Sequence, residues 1–184
     1  MNRPPHSHRL RAYLRRGGII AYPTEFCYGL GCDARHTHAL RTLLRLKKRP
    51  QHKGLIVIGQ NLQQLSPLLF RLPENIQTTL NQIWPAAKTF VLPCKTNIPI
   101  LLRGKSRNAL AVRIPKHHLA RQLCATAKMP LVSTSCNHAK QRPCKNAREA
   151  KRLFGHHVWV ISGNTGGAKR PSEIIDWQSG IKLR

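Results

Sequence analysis

Apolar and polar positions alternate between helical and extended periods along most of this chain. Leu10, Tyr13 and Leu14 recur at helical spacing among arginines and predict a first helix over residues 7–16. Residues 19–22 form a short apolar run, long enough for a buried strand. Pro23 cannot donate to a ladder and ends it. Thr24 and Glu25 then stand at a strand end, with Gly29 and Gly31 predicted to turn the backbone back. Residues 37–48 carry Ala39, Leu40, Leu43, Leu44 and Leu46 on one helical face, and Pro50 is the expected stop. Further on, strands are predicted at 55–58, 89–92, 109–114, 131–137, 158–161 and 173–177. Helices are predicted at 62–70 and 74–84, interrupted around Pro67 and Pro73, at 118–128, and from Asn146 to Phe154, the last with Glu149 three residues after its cap. Residues 98–108 read as an irregular piece bearing Arg103, Lys105 and Arg107, and 163–169 as a glycine-rich loop.

Strands alternating with helices give an α/β class: one domain over residues 1–184, built on one substantial sheet. Polar side chains recur where strands end, at Thr24, Arg113, Ser133, Ser135 and Asn137. Strand ends are where α/β sheets commonly seat ligands. Lone serines there also serve as turn formers. With the basic helix end at residues 47–54, the pattern favours a nucleotide or other anion site, and a solvated helix C-terminus remains the plainer alternative.

Charge sharpens this picture. The chain has 32 Lys and Arg against 6 Asp and Glu, a net charge of +26, so its surface attracts polyanions. So few carboxylates leave little with which to build a paired-carboxylate hydrolase or a carboxylate-rich two-metal site. No apolar run approaches a membrane span, and the basic N-terminal stretch lacks the apolar segment of a signal peptide, so the expected location is the cytoplasm and no membrane partner is expected. Six cysteines are scattered without a C-x-x-C. Cys27, Cys32, His36 and His38 match no common zinc spacing; the thiols are expected to be reduced and no metal site is assigned.

The ordered motifs 21–25 (AYPTE), 28–30 (YGL), 46–50 (LKKRP) with Lys53 and Gly54, 111–115 (AVRIP), 133–137 (STSCN) and 171–176 (PSEIID) resemble the threonylcarbamoyl-AMP synthases, the YrdC/Sua5-like family of TsaC type. The resemblance runs from about residue 7 to the end. It implies a twisted mixed sheet with flanking helices and a large, positively charged concave face. It implies synthesis of threonylcarbamoyl-AMP from L-threonine, bicarbonate and ATP with release of pyrophosphate, a nucleotidyl transfer serving the N6-threonylcarbamoyladenosine modification of tRNA. Carried over by motif, Lys47 and Arg49 are the catalytic K-x-R pair and hold ATP phosphates with Lys53. Ser135, Asn137, Ser172 and Arg184 belong to the ATP site. Thr24, Arg113 and Ser133 contact threonine, Arg113 through its carboxylate. Mg2+ is expected to arrive with ATP. A monomer is expected, with tRNA met through electrostatic contacts and tRNA-modifying proteins acting downstream. Two motifs depart from the family pattern: Pro85-Ala86-Ala87-Lys88-Thr89 replaces Pro-Gly-Pro-x-Thr, and His138-Ala139 replaces Ser-Gly after Asn137. Two other classes compete: a nonenzymatic double-stranded RNA or tRNA-binding module using the same basic concave surface, and a carbamoyl-transfer or regulatory relative of the same fold.

Overall fold

The computed structural model describes residues 7–105 and 108–184; Arg107 lies outside them. Eight strands form one mixed sheet in the order β7-β1-β2-β6-β3-β5-β4-β8. They are β1 (Ile20–Pro23), β2 (Tyr28–Gly31), β3 (Ile56–Ile58), β4 (Lys88–Pro93), β5 (Ala109–Arg113), β6 (Leu131–Ser135), β7 (Trp159–Val160) and β8 (Glu173–Asp176). β6 sits near the middle, antiparallel to β2 on one side and β3 on the other. β3–β5, β1–β7 and β4–β8 pair in parallel.

Period-two alternation decides what each face of this sheet meets. Val57, Leu110, Val112 and Val132 point into the larger core, together with α2 (Thr37–Leu46) and α7 (Ala147–Phe154). Their sequence neighbours Ile56, Ala109, Ala111, Arg113 and Ser133 face the other way. Part of that second face is covered by α1 (Ser7–Arg15) and α6 (His118–Ala127), which bury Leu10, Leu14, Leu119 and Leu123 against Ile20, Tyr22 and Ile58. The rest of the face is left open, and its strands carry small residues there: Gly29, Ala109, Ala111 and Ser133. Small side chains on an uncovered sheet face leave a hollow.

Several boundaries differ from the sequence expectation for local reasons. Gly29 and Gly31 lie inside β2, which forms a hairpin with β1 (Tyr22↔Gly29, Ile20↔Gly31); the turn is residues 24–27, closed by Thr24 N–H on Cys27 O at 3.0 Å. Gly31 is required by closeness: a Cβ there would stand 2.4 Å from Val132 O. α2 stops before Pro50. Lys48 adopts φ 51, and Arg49 N–H reaches Leu44 O while Lys48 N–H reaches Arg45 O, a left-handed closure that ends the helix at Leu46. The interruption expected around Pro67 is present: the piece divides into α3 (Leu62–Leu65), capped by Asn61 on Gln64 N–H, and a 3-10 turn at Ser66–Leu68. α4 is Glu74–Ile83, and α5, a single turn at Ile100–Arg103, occupies part of the segment read as irregular. Asn146 caps α7 through Glu149 N–H at 2.9 Å, while Glu149 Oε2 accepts Lys145 N–H at 2.9 Å.

Candidate active site

The open half of the sheet forms a cavity of about 560 Å3. Its floor is β5 and β6, with β2, β3, β4 and β8 contributing one or two residues each. Its walls are the 24–27 turn, the segment after α2, the turn after β6 and the last residues of the chain. Thr24, Arg49, Lys53, Arg113, Ser133, Ser135, Asn137, Ser172 and Arg184, nine of the ten residues assigned from the sequence, line this one space. Lys47 is the exception. The sequence placed it on an exposed helix end, but it is 3% exposed and points beneath the floor. Its ammonium donates to Ser135 O, to Asn137 O at 2.9 Å and to Asn137 Oδ1 at 2.9 Å. Burial, then the neighbouring Arg49, brings its pKa down to about 8.

The same network fixes the turn after β6. Ser135 Oγ donates to Asn137 Oδ1 at 2.7 Å, and Asn137 Nδ2 donates to Gln141 O. Ala139 N–H bonds Lys47 O at 2.8 Å, and His138 bonds Leu46 O at 2.9 Å with its ring against Phe154. The His138-Ala139 departure therefore docks this turn onto the end of α2. At the other departure, Ala86 N–H bonds Ile114 O at 3.1 Å, and the buried hydroxyls of Thr89 and Ser172 meet at 3.2 Å. Arg184 donates to Ser172 O at 3.1 Å, so the chain's last residue forms cavity wall. Thr24 Oγ1 donates to Cys27 O at 2.7 Å, leaving its oxygen free only to accept.

Among the described residues, five cationic side chains line the cavity: Arg49, Lys53, Arg103, Arg113 and Arg184. Arg49 Nη2 donates to Gly54 O at 3.0 Å, but its Nε is buried without a partner, and so is Arg113 Nε. Burial holds the Arg49 pKa below its ordinary value; burial and the charges of Arg113 and Arg49 do the same to Arg184. Guanidinium donors left unpaired in a wall of like charge are costly, and an anionic ligand removes that cost. Among the described residues the one carboxylate side chain in the lining is Glu25, whose Oε2 stands 3.5 Å from Arg113 Nη1. Sequence reasoning quoted Glu25 inside its motif without giving it a role; a lone carboxylate beside Thr24 in so basic a chain was the available signal. Arg103, read from the sequence only as part of a basic irregular piece, and Phe26 and Pro143 also line the cavity.

The six cysteines are buried thiols. Burial pushes Cys27 up to about 11 and Cys124 up to about 12, which keeps them protonated and unreactive at neutral pH. His36, considered with them for zinc, caps α2 by accepting Ala39 N–H at 3.2 Å.

A family model for Sua5/YciO/YrdC proteins, described as "telomere recombination", matches residues 12–184. The chain is 55% identical over 176 residues to a threonylcarbamoyl-AMP synthase of Neisseria gonorrhoeae, covering 96% of this chain and 93% of that one. It is 49% identical over 176 residues to a threonylcarbamoyl-AMP synthase of Methylobacillus flagellatus, covering 95% and 97%. Its fold superposes on P. abyssi Sua5 complexed with L-threonine with a TM-score of 0.84 and 27% identity, over 96% of this chain and 53% of that one; the chain thus spans about half of that protein. Matched over nearly its whole length in sequence and in fold, this chain belongs to the Sua5/YciO/YrdC family.

Proposed function

We propose that the cavity binds ATP and L-threonine together and forms threonylcarbamoyl-AMP, releasing pyrophosphate, for the threonylcarbamoyl modification of tRNA. The observation that carries this reading is the convergence of Arg49, Lys53, Arg113 and Arg184, two of them with a buried Nε that has no partner (Arg49 and Arg113), on a floor of small and hydroxyl-bearing residues. It suits a ligand with several anionic groups and a compact polar body. The chemistry is a nucleotidyl transfer. The amine of threonine takes up bicarbonate-derived CO2 to give a carbamate. A carbamate oxygen attacks the α-phosphorus of ATP, and the bond to the bridging oxygen of pyrophosphate breaks. Such a displacement needs alignment and positive charge on the phosphate oxygens more than it needs a protein nucleophile.

In this reading Arg49, Lys53 and Arg184 hold the phosphates, with Ser172 fixing Arg184. Lys47 acts from below, holding Ser135 and Asn137 against the nucleotide. Arg113 pairs with the threonine carboxylate, and Ser133 and the Thr24 oxygen accept from its amine or hydroxyl. Mg2+ would come with ATP. Among the described residues the lining offers one carboxylate side chain, whose Oε1 already accepts Lys116 N–H at 2.8 Å, so the phosphates of ATP would supply most of the ligation that such a cation needs. tRNA is met through phosphate contacts on the basic surface. The test is pyrophosphate release by the purified protein. It should require L-threonine and bicarbonate together, with no RNA added; equal release without threonine would overturn the reading.

A further inference from the structure

We infer that Glu25 is a positioning residue that aims Arg113 at the amino-acid carboxylate and keeps it from the triphosphate. This rests on the proposed role of Arg113. Glu25 is 8% exposed. Its Oε1 is fastened by two backbone donors, Lys116 N–H at 2.8 Å and His117 N–H at 3.4 Å, just where the chain enters α6. Its backbone is fastened too: Glu25 O accepts Ala168 N–H at 2.9 Å, and Thr24 O accepts Gly166 N–H at 3.0 Å. Gly166 lies so close that a Cβ there would stand 3.1 Å from Glu25 Cα. A carboxylate tied to two other segments of the chain is a fixed negative charge.

That charge faces Arg113. Nη1 lies 3.5 Å from Oε2, inside ion-pair range, yet Oε2 has no hydrogen-bond partner and neither does Arg113 Nε. The pairing therefore attracts the guanidinium without consuming its donors. A hydrogen-bonded bidentate pair would have left less of the fork for a ligand. Arg113 otherwise shares the cavity with the like charges of Arg49 and Arg184, its own charge acting on Arg184, and among the described residues no other carboxylate side chain lines that space. With the Glu25 charge gone, repulsion from Arg49 and Arg184 and attraction to bound triphosphate would both draw Arg113 away from its place at the end of β5. Groups that orient a ligand-binding side chain in this way set affinity without touching the ligand.

The experiment measures KM for threonine and for ATP, by pyrophosphate release, in wild type, Glu25→Gln, Arg113→Lys and the double variant. Glutamine keeps the length and an acceptor for the two backbone donors and removes the charge. Glu25→Gln should raise the threonine KM about tenfold while the ATP KM stays within about twofold or falls, and in the Arg113→Lys background it should add less than about twofold, because the two act through one contact. Parallel rises in both KM values, or a full multiplicative effect in the double variant, would reduce Glu25 to a structural residue and overturn the inference. An unchanged threonine KM in Arg113→Lys would overturn the role of Arg113 itself, and the inference with it. Should Glu25→Gln fail to fold, Glu25→Asp serves: it keeps the charge but cannot reach both the backbone donors and Arg113, so the threonine KM should rise selectively. A threonine KM equal to wild type there would overturn the inference.

Discussion

A lysine and an arginine two residues apart, Lys47 and Arg49, carry different burdens in this fold. Removing the Lys47 ammonium takes a charged donor from Ser135 O, Asn137 O and Asn137 Oδ1, which loosens the turn after β6 at a cost of about 2 kcal/mol in stability. Lys47→Ala should therefore lower the Tm as well as activity. Arg49 is half-exposed, so Arg49→Ala should keep the Tm while raising the ATP KM about thirtyfold, the equivalent of ~2 kcal/mol for a lost charge-assisted phosphate contact. Calorimetry and kinetics on the pair check this: a wild-type Tm for the first, or a wild-type ATP KM for the second, contradicts the assignment. The K-x-R motif was legible in the sequence; the inward turn of its lysine was not. That turn depends on a left-handed Lys48, which no composition rule demands, and on acceptors 88 to 90 residues away.

Elements were legible where one period ran long enough. The α2 face, the Asn146 cap with the helix after it, and the existence of β5 and β6 could all be read from the sequence. Sheet order could not, because pairing β6 with both β2 and β3 (Leu30↔Thr134, Val57↔Val132) joins segments far apart in the chain that carry no mutual label. The same blindness hid the hairpin: Gly29 and Gly31 read as a turn, yet they serve strand packing. Gly31→Ala should cost about 3 kcal/mol, since the new methyl meets the Val132 carbonyl and the Tyr22 ring and neither can retreat. Urea denaturation measures it; a loss under about 0.5 kcal/mol, the range of an ordinary surface change, would mean that β2 and β6 separate more easily than their register suggests.

Over the whole molecule, the net charge of +26 should govern nucleic-acid binding. Affinity for tRNA should fall about a thousandfold between roughly 50 and 200 mM salt if six or more phosphates are neutralised, with little dependence on sequence. A salt series on two unrelated tRNAs tests it, and a flat series or a strong preference for one tRNA contradicts it. The buried thiols set a second global property. Cys124 rises from an ordinary 9.0 to about 12 in the folded chain, through burial. A raised acid contributes stability that is fully present below the unfolded pKa and lost as pH climbs through the folded one. The Tm advantage of wild type over Cys124→Ala should thus shrink between pH 9 and 12; a gap that stays constant across that window would contradict the assigned environment.

The two-faced sheet has a consequence for how this chain can change over time. Along β5 and β6, odd-numbered positions 109, 111, 113, 133 and 135 belong to the cavity, and even-numbered 110, 112 and 132 belong to the larger core. Substitutions on either face act one at a time. A single-residue deletion or insertion inside either strand exchanges the two sets beyond that point, sending apolar side chains into the cavity and a guanidinium or hydroxyls into the core. Length changes should therefore be purged from these strands even where substitutions persist, and a library of single-codon deletions should show β5 and β6 as its least tolerant stretches, with the exposed segment around residues 178–180 among the more forgiving.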